Sequence, residues 1–232
     1  MYSILYLMKR WLHSSLDWFM LLLFPARNDE RAVAMLSTKD ISHLPRAHAY
    51  DDTYVASEDC DTHALFSYKD SQVQALIWEL KYHRNPQALG IVGTLIAEAI
   101  TEELSDKMLF QGWTHALLVP VPTSGQRLRE KQFSQTDLLC REVIAHLDRN
   151  MVTYTPHALD KIVETEKQNK TKTRAQRLVN VKNAFQANEQ LVKGKNIIVI
   201  DDVTTTGATI REAVRALRAS GARHVMAFTV AH

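Results

Sequence analysis

Cysteine is scarce in this sequence: Cys60 and Cys140 are the two among 232 residues. They lie far apart and form no CxxC pair, so no disulfide framework is expected and both read as free thiols of a reducing cytoplasm. A structural zinc site needs about four closely spaced Cys or His ligands. No such cluster is visible, and the ten histidines form neither an HxH nor an HExxH pattern. An excess of one charge sign is also missing. The formal net charge of +2 gives the chain as a whole no pull on nucleic acid, although a local basic patch retains one. Long apolar runs are absent too. The stretch MYSILYLMKRWLHSSLDWFMLLLF is broken by Lys9, Arg10, His13 and Asp17. Its longest clean run, Trp18 to Phe24, falls far short of the ~20 residues that a spanning helix needs. Pro25-Ala26-Arg27 makes a poor cleavage site, which argues against a signal peptide. The stretch reads as an amphipathic helix packing on the domain or on a partner, with contact to a membrane surface as the lesser alternative. There is no internal repeat.

What is present is ordinary for a globular chain: 46% hydrophobic and 23% charged residues. At this length roughly 70–75% of the unfolded surface can be buried, so neither metal nor disulfide is required for a core. One large α/β domain with a short appendage fits the size.

Periodicity sharpens from His63 onward. Ala64 to Tyr68 is a short strand candidate. Ser71 to Lys81 is expected as a helix, with Val73, Leu76, Ile77 and Leu80 on one face. Pro86 to Leu104 is expected as a second, with Gly90 and Gly93 allowing close packing. Ala116 to Val121 is a buried strand closed by Pro120 and Pro122. Thr136 to Leu147 reads as a helix, and Asp160 to Asn183 as a polar, lysine-rich stretch. Asn196 to Ile200 is a β-branched run suited to the middle of a parallel sheet. Thr209 to Ala219 is an amphipathic helix, with Gly221 suited to its C-terminal cap. His224 to Val230 closes a right-handed βαβ unit.

The segment Ile197 to Thr209, IIVIDDVTTTGAT, carries the chemistry. A buried strand ends in Asp201 and Asp202, a hydroxyl-rich loop follows, and a helix starts at once. In an open α/β sheet that loop lies where ligands bind. Thr204, Thr205, Thr206 and Thr209 offer hydroxyl donors. Gly207 lets backbone N–H groups approach a ligand, and the helix N-terminus adds donors and positive potential. Together these suit a phosphate. The carboxylates suit the hydroxyls of a ribose diol, or a nearby cation. A strand with a tight turn and a threonine N-cap would explain one threonine and one aspartate, not this whole set. No lysine follows the glycine as in a P-loop, and GxGxxG is absent.

The same thirteen residues resemble, over its whole length, the PRPP motif of the type I phosphoribosyltransferase fold. That resemblance implies a mostly parallel central sheet flanked by helices, with an N-terminal helix or hood segment. It implies Asp201 and Asp202 on the ribose hydroxyls of PRPP, and Thr204, Thr205, Thr206, Gly207, Ala208 and Thr209 around its 5-phosphate. A narrower resemblance covers most of the chain. FSYKDSQVQALIWELKYHRNPQAL, LVPVPTSGQRLREKQFSQTDLLCREV, TRAQRLVNVKNAF and the closing GARHVMAFTVAH are similar, in order and spacing, to the ComF family of competence-associated proteins. The division implied is 1–62, a helix and degenerate hood region, and 63–232, the phosphoribosyltransferase-like domain. ComF proteins usually carry a four-cysteine zinc ribbon after the opening helix. Pro25 to Asp59 holds no cysteine, so no zinc is expected. The RGFNQ-like run of the family stands here as KQFSQ, Lys131 to Gln135.

By the same resemblance Arg127, Arg129 and Lys131 form a pyrophosphate loop; a solvated basic turn, or a surface for nucleic-acid phosphates, is the other reading. Glu164 to Thr173 corresponds to a loop that closes over the reaction centre in the wider fold, or is simply a polar loop. Arg177 and Asn180 match an R-x-x-N element, and Lys81 and Tyr82 another. Lys81 is either a pyrophosphate ligand or a solvated lysine beside a packed Tyr82. Mg²⁺ is expected with PRPP, held through the ligand and in contact with Asp201 and Asp202, without a protein-only metal site. Three functions stay open: phosphoribosyl transfer to an unidentified acceptor, single-stranded-DNA binding in DNA uptake, and PRPP sensing without turnover. Lys161, Lys167, Lys170 and Lys172 add to the basic surface of the second. A cytoplasmic protein without a transmembrane segment is expected, with PRPP or a related phosphorylated ribose as ligand and single-stranded DNA or DNA-uptake proteins as further partners.

Overall fold

A computed structural model describes residues 60–123, 134–163, 181–204 and 206–232. Residues 1–59 of the expected helix and hood region, Arg127, Arg129, Lys131, the stretch 164–173, Arg177, Asn180 and Thr205 lie outside the described residues. In chain order the elements are β1 (Asp61–Phe66), α1 (Ser71–Trp78), α2 (Pro86–Gln111), β2 (Ala116–Pro120), α3 (Gln135–Ala145), β3 (Val152–Tyr154), β4 (Leu159–Lys161), β5 (Phe185–Ala187), α4 (Glu189–Val192), β6 (Asn196–Val203), α5 (Ala208–Ala219) and β7 (His224–Ala231). A short 3₁₀ turn, Pro156–Ala158, precedes β4.

Five strands form one sheet in the order β1-β7-β6-β2-β3, and every pairing within it is parallel. The long apolar runs of β2 and β6 stand at its centre because both their faces are covered. On one face, Ile198, Ile200, Met226 and Phe228 pack with Leu76 of α1, Ile96 and Ile100 of α2, and Leu139 and Val143 of α3. On the other, Ile197, Val199 and Ala227 pack with Ile210, Ala213, Val214 and Leu217 of α5 and with Leu159 and Phe185 of an antiparallel ribbon formed by β4 and β5. The chain therefore leaves β2 toward β3 over one face and leaves β6 toward β7 over the other. The connections after β2 and β6 run to opposite faces there, which makes it the switch point at which open α/β sheets bind ligands.

Local chemistry sets the element ends. Asp70 caps α1, its Oδ1 accepting from Gln72 N at 2.8 Å and Val73 N at 3.2 Å. Asn85 caps α2 in the same way ahead of Pro86. The helix expected over Pro86 to Leu104 runs on to Gln111: in its last turns Lys107 is buried and Met108 packs against the core, while Leu109 and Phe110 are exposed. Gly112, at φ 64°, ends it. The first strand begins earlier than expected, at Asp61, where Asp61 pairs with the buried Lys107. The helix expected over Ser71 to Lys81 ends at Trp78 and continues as a wide π turn, Glu79–His83. Gly93 is where α2 and α3 nearly touch: a Cβ added there would lie 2.4 Å from Glu142 Cγ. Cys60 and Cys140 are free and buried. Burial, helped by the charge of Asp137, pushes the Cys140 thiol well above its usual pKa, so it is inert packing. Among the described residues no helix is long and apolar enough to cross a membrane.

Candidate functional site

The turn from β6 into α5 stands at the carboxyl edge of the sheet, next to the end of β2. Val121 N donates to Ile200 O at 2.8 Å, and Thr204 N donates to Ala231 O at 3.0 Å. These bonds hold the turn between its two neighbouring strands. Strand alternation puts successive residues on opposite faces. Asp202 meets Lys81 on the face of Ile198 and Ile200, and the buried Asp201 beside it interacts with the same lysine. Gly207 occupies the N-cap of α5 at φ 66°, a conformation costly for residues with a Cβ, and contributes no side-chain cap. The threonine cap that a purely structural turn would use is thus not what starts this helix. Thr206 and Thr209 are partly exposed, whereas Thr204 is only 4% exposed.

The two carboxylates differ in environment. Asp201 is 8% exposed, and its Oδ1 accepts from Asp202 N at 2.9 Å. Burial first, and the charge of Asp202 second, push its pKa up to about 7. Asp202 is more open; its Oδ1 accepts from Val203 N at 2.6 Å. Its Oδ2 lies 3.1 Å from Lys81 Nζ. Burial works against the Lys81 ammonium, but Asp202, with help from Asp201 and Tyr68, outweighs it and leaves the lysine pKa above its ordinary value.

Lys81 reaches Asp202 from the π turn Glu79–His83, an irregularity of the kind common at functional sites. Asn85 fixes that turn. Its Nδ2 donates to the buried Glu79 Oε2 at 3.1 Å, and its N–H bonds Glu79 O at 3.4 Å, while Arg84 turns the chain at φ 53°. Tyr82 does not pack beside a solvated lysine. It meets Trp78, ring centroids 4.3 Å apart, and both rings stay about half exposed. A cation that the sequence did not single out, Arg211, reaches back from the first turn of α5, its Nη2 donating to Thr206 O at 2.7 Å. Its position four residues after Gly207, one turn along a helix, is the available signal.

The structure thus brings together Asp201, Asp202, Lys81, Thr204, Thr206, Gly207, Ala208 and Thr209. The flanks of the basic loop after β2 are also at this edge. Thr123 Oγ1 and Ser134 Oγ stand 3.2 Å apart, Ser134 Oγ and Thr136 Oγ1 3.1 Å apart, and Thr136 Oγ1 donates to Val121 O at 2.7 Å. Lys161 stands elsewhere, over the ring of Phe185. Among the described residues no three Asp, Glu, His or Cys side chains gather in a way that could hold a metal ion.

Residues 81–232 match the family model described as phosphoribosyl transferase domain. The competence protein ComFC of Bacillus subtilis (strain 168) is similar at 30% identity, over 72% of this chain and 62% of its own length. The DNA utilization protein YhgH of Escherichia coli O157:H7 is 31% identical over 65% of this chain and 63% of its own length. The chain therefore spans somewhat under two thirds of these relatives. Among solved structures, a glutamine phosphoribosylpyrophosphate amidotransferase from B. subtilis aligns at 19% identity over 66% of this chain and 30% of its own, with a TM-score of 0.38, too loose a likeness to add to the family match. The parallel five-stranded sheet flanked by helices is of the type I phosphoribosyltransferase kind.

Proposed function

The chain belongs to the phosphoribosyl transferase domain family and groups there with the ComF proteins; from that premise we propose that it binds PRPP or a related ribose 5-phosphate at the turn between β6 and α5. One observation carries this reading: a glycine-capped helix start with partly exposed threonines adjoins two strand-end carboxylates, one buried and one paired with Lys81. The phosphate would accept hydrogen bonds from the turn and sit in the positive potential of the α5 N-terminus. The 2- and 3-hydroxyls of the ribose would donate to the carboxylates. Arg211 adds positive charge beside the same loop. Arg127, Arg129 and Lys131 supply cations for a pyrophosphate, and any Mg²⁺ belongs with that pyrophosphate. Turnover would mean attack by a nucleophile on the anomeric carbon while the carbon–oxygen bond to pyrophosphate breaks and pyrophosphate leaves with the electron pair. The protein would contribute position and charge stabilisation.

The biological setting proposed is DNA uptake in the cytoplasm; relatives named for competence and for DNA utilization support the link to DNA. The test is isothermal titration of PRPP with Mg²⁺ into the intact protein and into the double variant Asp201→Ala/Asp202→Ala. Binding by the first and loss in the second support the site. No heat at millimolar PRPP removes the reading, and retained binding in the variant moves the site elsewhere. Pyrophosphate release then separates an enzyme from a PRPP sensor.

A second reading, single-stranded DNA binding, is favoured by the exposed Trp78–Tyr82 pair, because base stacking on aromatic rings is worth about 1–3 kcal/mol per base. Anisotropy of a labelled short oligonucleotide at low salt would show binding that weakens in Trp78→Ala and falls steeply with salt. No binding at low salt eliminates it.

A further inference from the structure

The carboxylates at the end of β6 are the obvious place to seat a divalent cation, yet their surroundings are those of a site already neutralised. Asp202 Oδ2 lies 3.1 Å from Lys81 Nζ, and Asp202 Oδ1 is engaged by Val203 N–H. Asp201 is buried, its Oδ1 accepts the Asp202 N–H, and the Lys81 ammonium acts on it as well. Among the described residues no third His, Cys, Asp or Glu joins the two to hold an ion. Mg²⁺ demands near-octahedral oxygen donors at about 2.0–2.1 Å. An ion at that distance from Asp202 Oδ2 would stand almost against the lysine ammonium, a like charge in a partly desolvated place.

The lysine is not there by chance of a long side chain. The π turn that carries it is anchored through the buried Glu79 and Asn85, and its own side chain is largely enclosed, at 28% exposure. Tyr68, on the chain just after β1, stands close enough to interact with it, and Tyr68 N is tied to His232 O at 2.8 Å. The ammonium thus stands between the chain just after β1 and the end of β6.

We propose that Lys81 is the resident cation of the Asp201–Asp202 pair, so that the site takes up the ribose 5-phosphate part of its ligand with no divalent ion on the protein. This inference rests on the ribose-phosphate reading above and deepens it. A divalent ion then enters only on a pyrophosphate, and a sugar phosphate lacking pyrophosphate needs none. Without Lys81 the two carboxylates repel an anionic ligand, and a divalent ion becomes necessary to offset them.

The test uses ribose 5-phosphate, titrated calorimetrically into the full chain in EDTA and, separately, in millimolar Mg²⁺. The wild type is expected to bind with the same affinity in both buffers, within about twofold. Lys81→Met is expected to lose about tenfold or more in EDTA, a change of about 1.4 kcal/mol, and to recover part of it in Mg²⁺. Lys81→Arg keeps the charge and is expected to stay independent of Mg²⁺. Wild-type binding that requires Mg²⁺ overturns the inference while leaving the ribose-phosphate reading standing. Lys81→Met binding as well as wild type in EDTA also overturns it, as does Lys81→Arg behaving like Lys81→Met. Absence of wild-type binding in both buffers overturns the ribose-phosphate reading, and the inference with it. Should Lys81→Met fail to fold, as a melting curve would reveal, the wild-type pair of titrations and Lys81→Arg still decide.

Discussion

At the scale of single residues, Asp201 is the most consequential side chain. Its folded pKa of about 7 stands above the ordinary 3.8, chiefly because it is buried. Between those values the folded chain holds a proton that the unfolded chain has released. Folding stability therefore falls as pH rises through that window and levels off above it. Asp201→Asn keeps an acceptor for the Asp202 N–H and removes the ionisation. Its melting-temperature advantage over wild type is expected to grow by several degrees between pH 5 and pH 8. Equal melting at both pH values would show that Asp201 carries no such burden. The two aspartates and the glycine were legible in the sequence because they sit side by side in one motif. The Lys81–Asp202 pair was not: its members are separated by most of the domain, and periodicity carries no information about which distant elements meet. Lys81 was legible as a candidate, but its partner was not.

At the scale of elements, the close approach of α2 and α3 turns on one glycine of two. Gly93 has no room for a methyl group, since an added Cβ would meet Glu142 Cγ at 2.4 Å and Glu142 Cβ at 3.0 Å. At Gly90 the nearest such atom, Glu142 Oε1, is 3.8 Å away, an ordinary contact. Alanine gains about 1 kcal/mol over glycine in a helix interior, and overpacking costs about 1–3 kcal/mol. Gly90→Ala is therefore expected to stabilise the protein and Gly93→Ala to destabilise it, as read from urea midpoints. Stabilisation by both would mean that the helices are less tightly packed than described. The periodic elements were legible: β6, α5 and β7 fall within a few residues of their expected ends because long β-branched runs and a clear apolar stripe mark them. The strands β3, β4 and β5 were not, because three residues hold too little pattern to read. The π turn was not either: the apolar stripe over Ser71 to Lys81 is the same whether the last turn is α or π.

At the scale of the whole molecule, the sheet order decides what can act together. β1, β7, β6 and β2 all point their carboxyl ends to one edge. Tyr68, His232, the β6–α5 turn and the flanks of the basic loop after β2 therefore share that edge. The α/β class was legible from the closing strand–helix–strand unit, whose right-handed crossover leaves few arrangements; the particular sheet was legible through the resemblance of Ile197 to Thr209 to the PRPP motif. Which helix covers which face was not, and that is what brings Lys81, beyond the end of α1, to Asp202. Ligand binding at this edge requires a phosphate at the start of α5 with its sugar at the end of β6. Backbone amide shifts during titration with ribose 5-phosphate test this most directly. The largest changes are expected at Asp202, Thr206, Gly207, Ala208 and Thr209, saturating together. Saturable binding that leaves those amides unmoved while shifting others would contradict it.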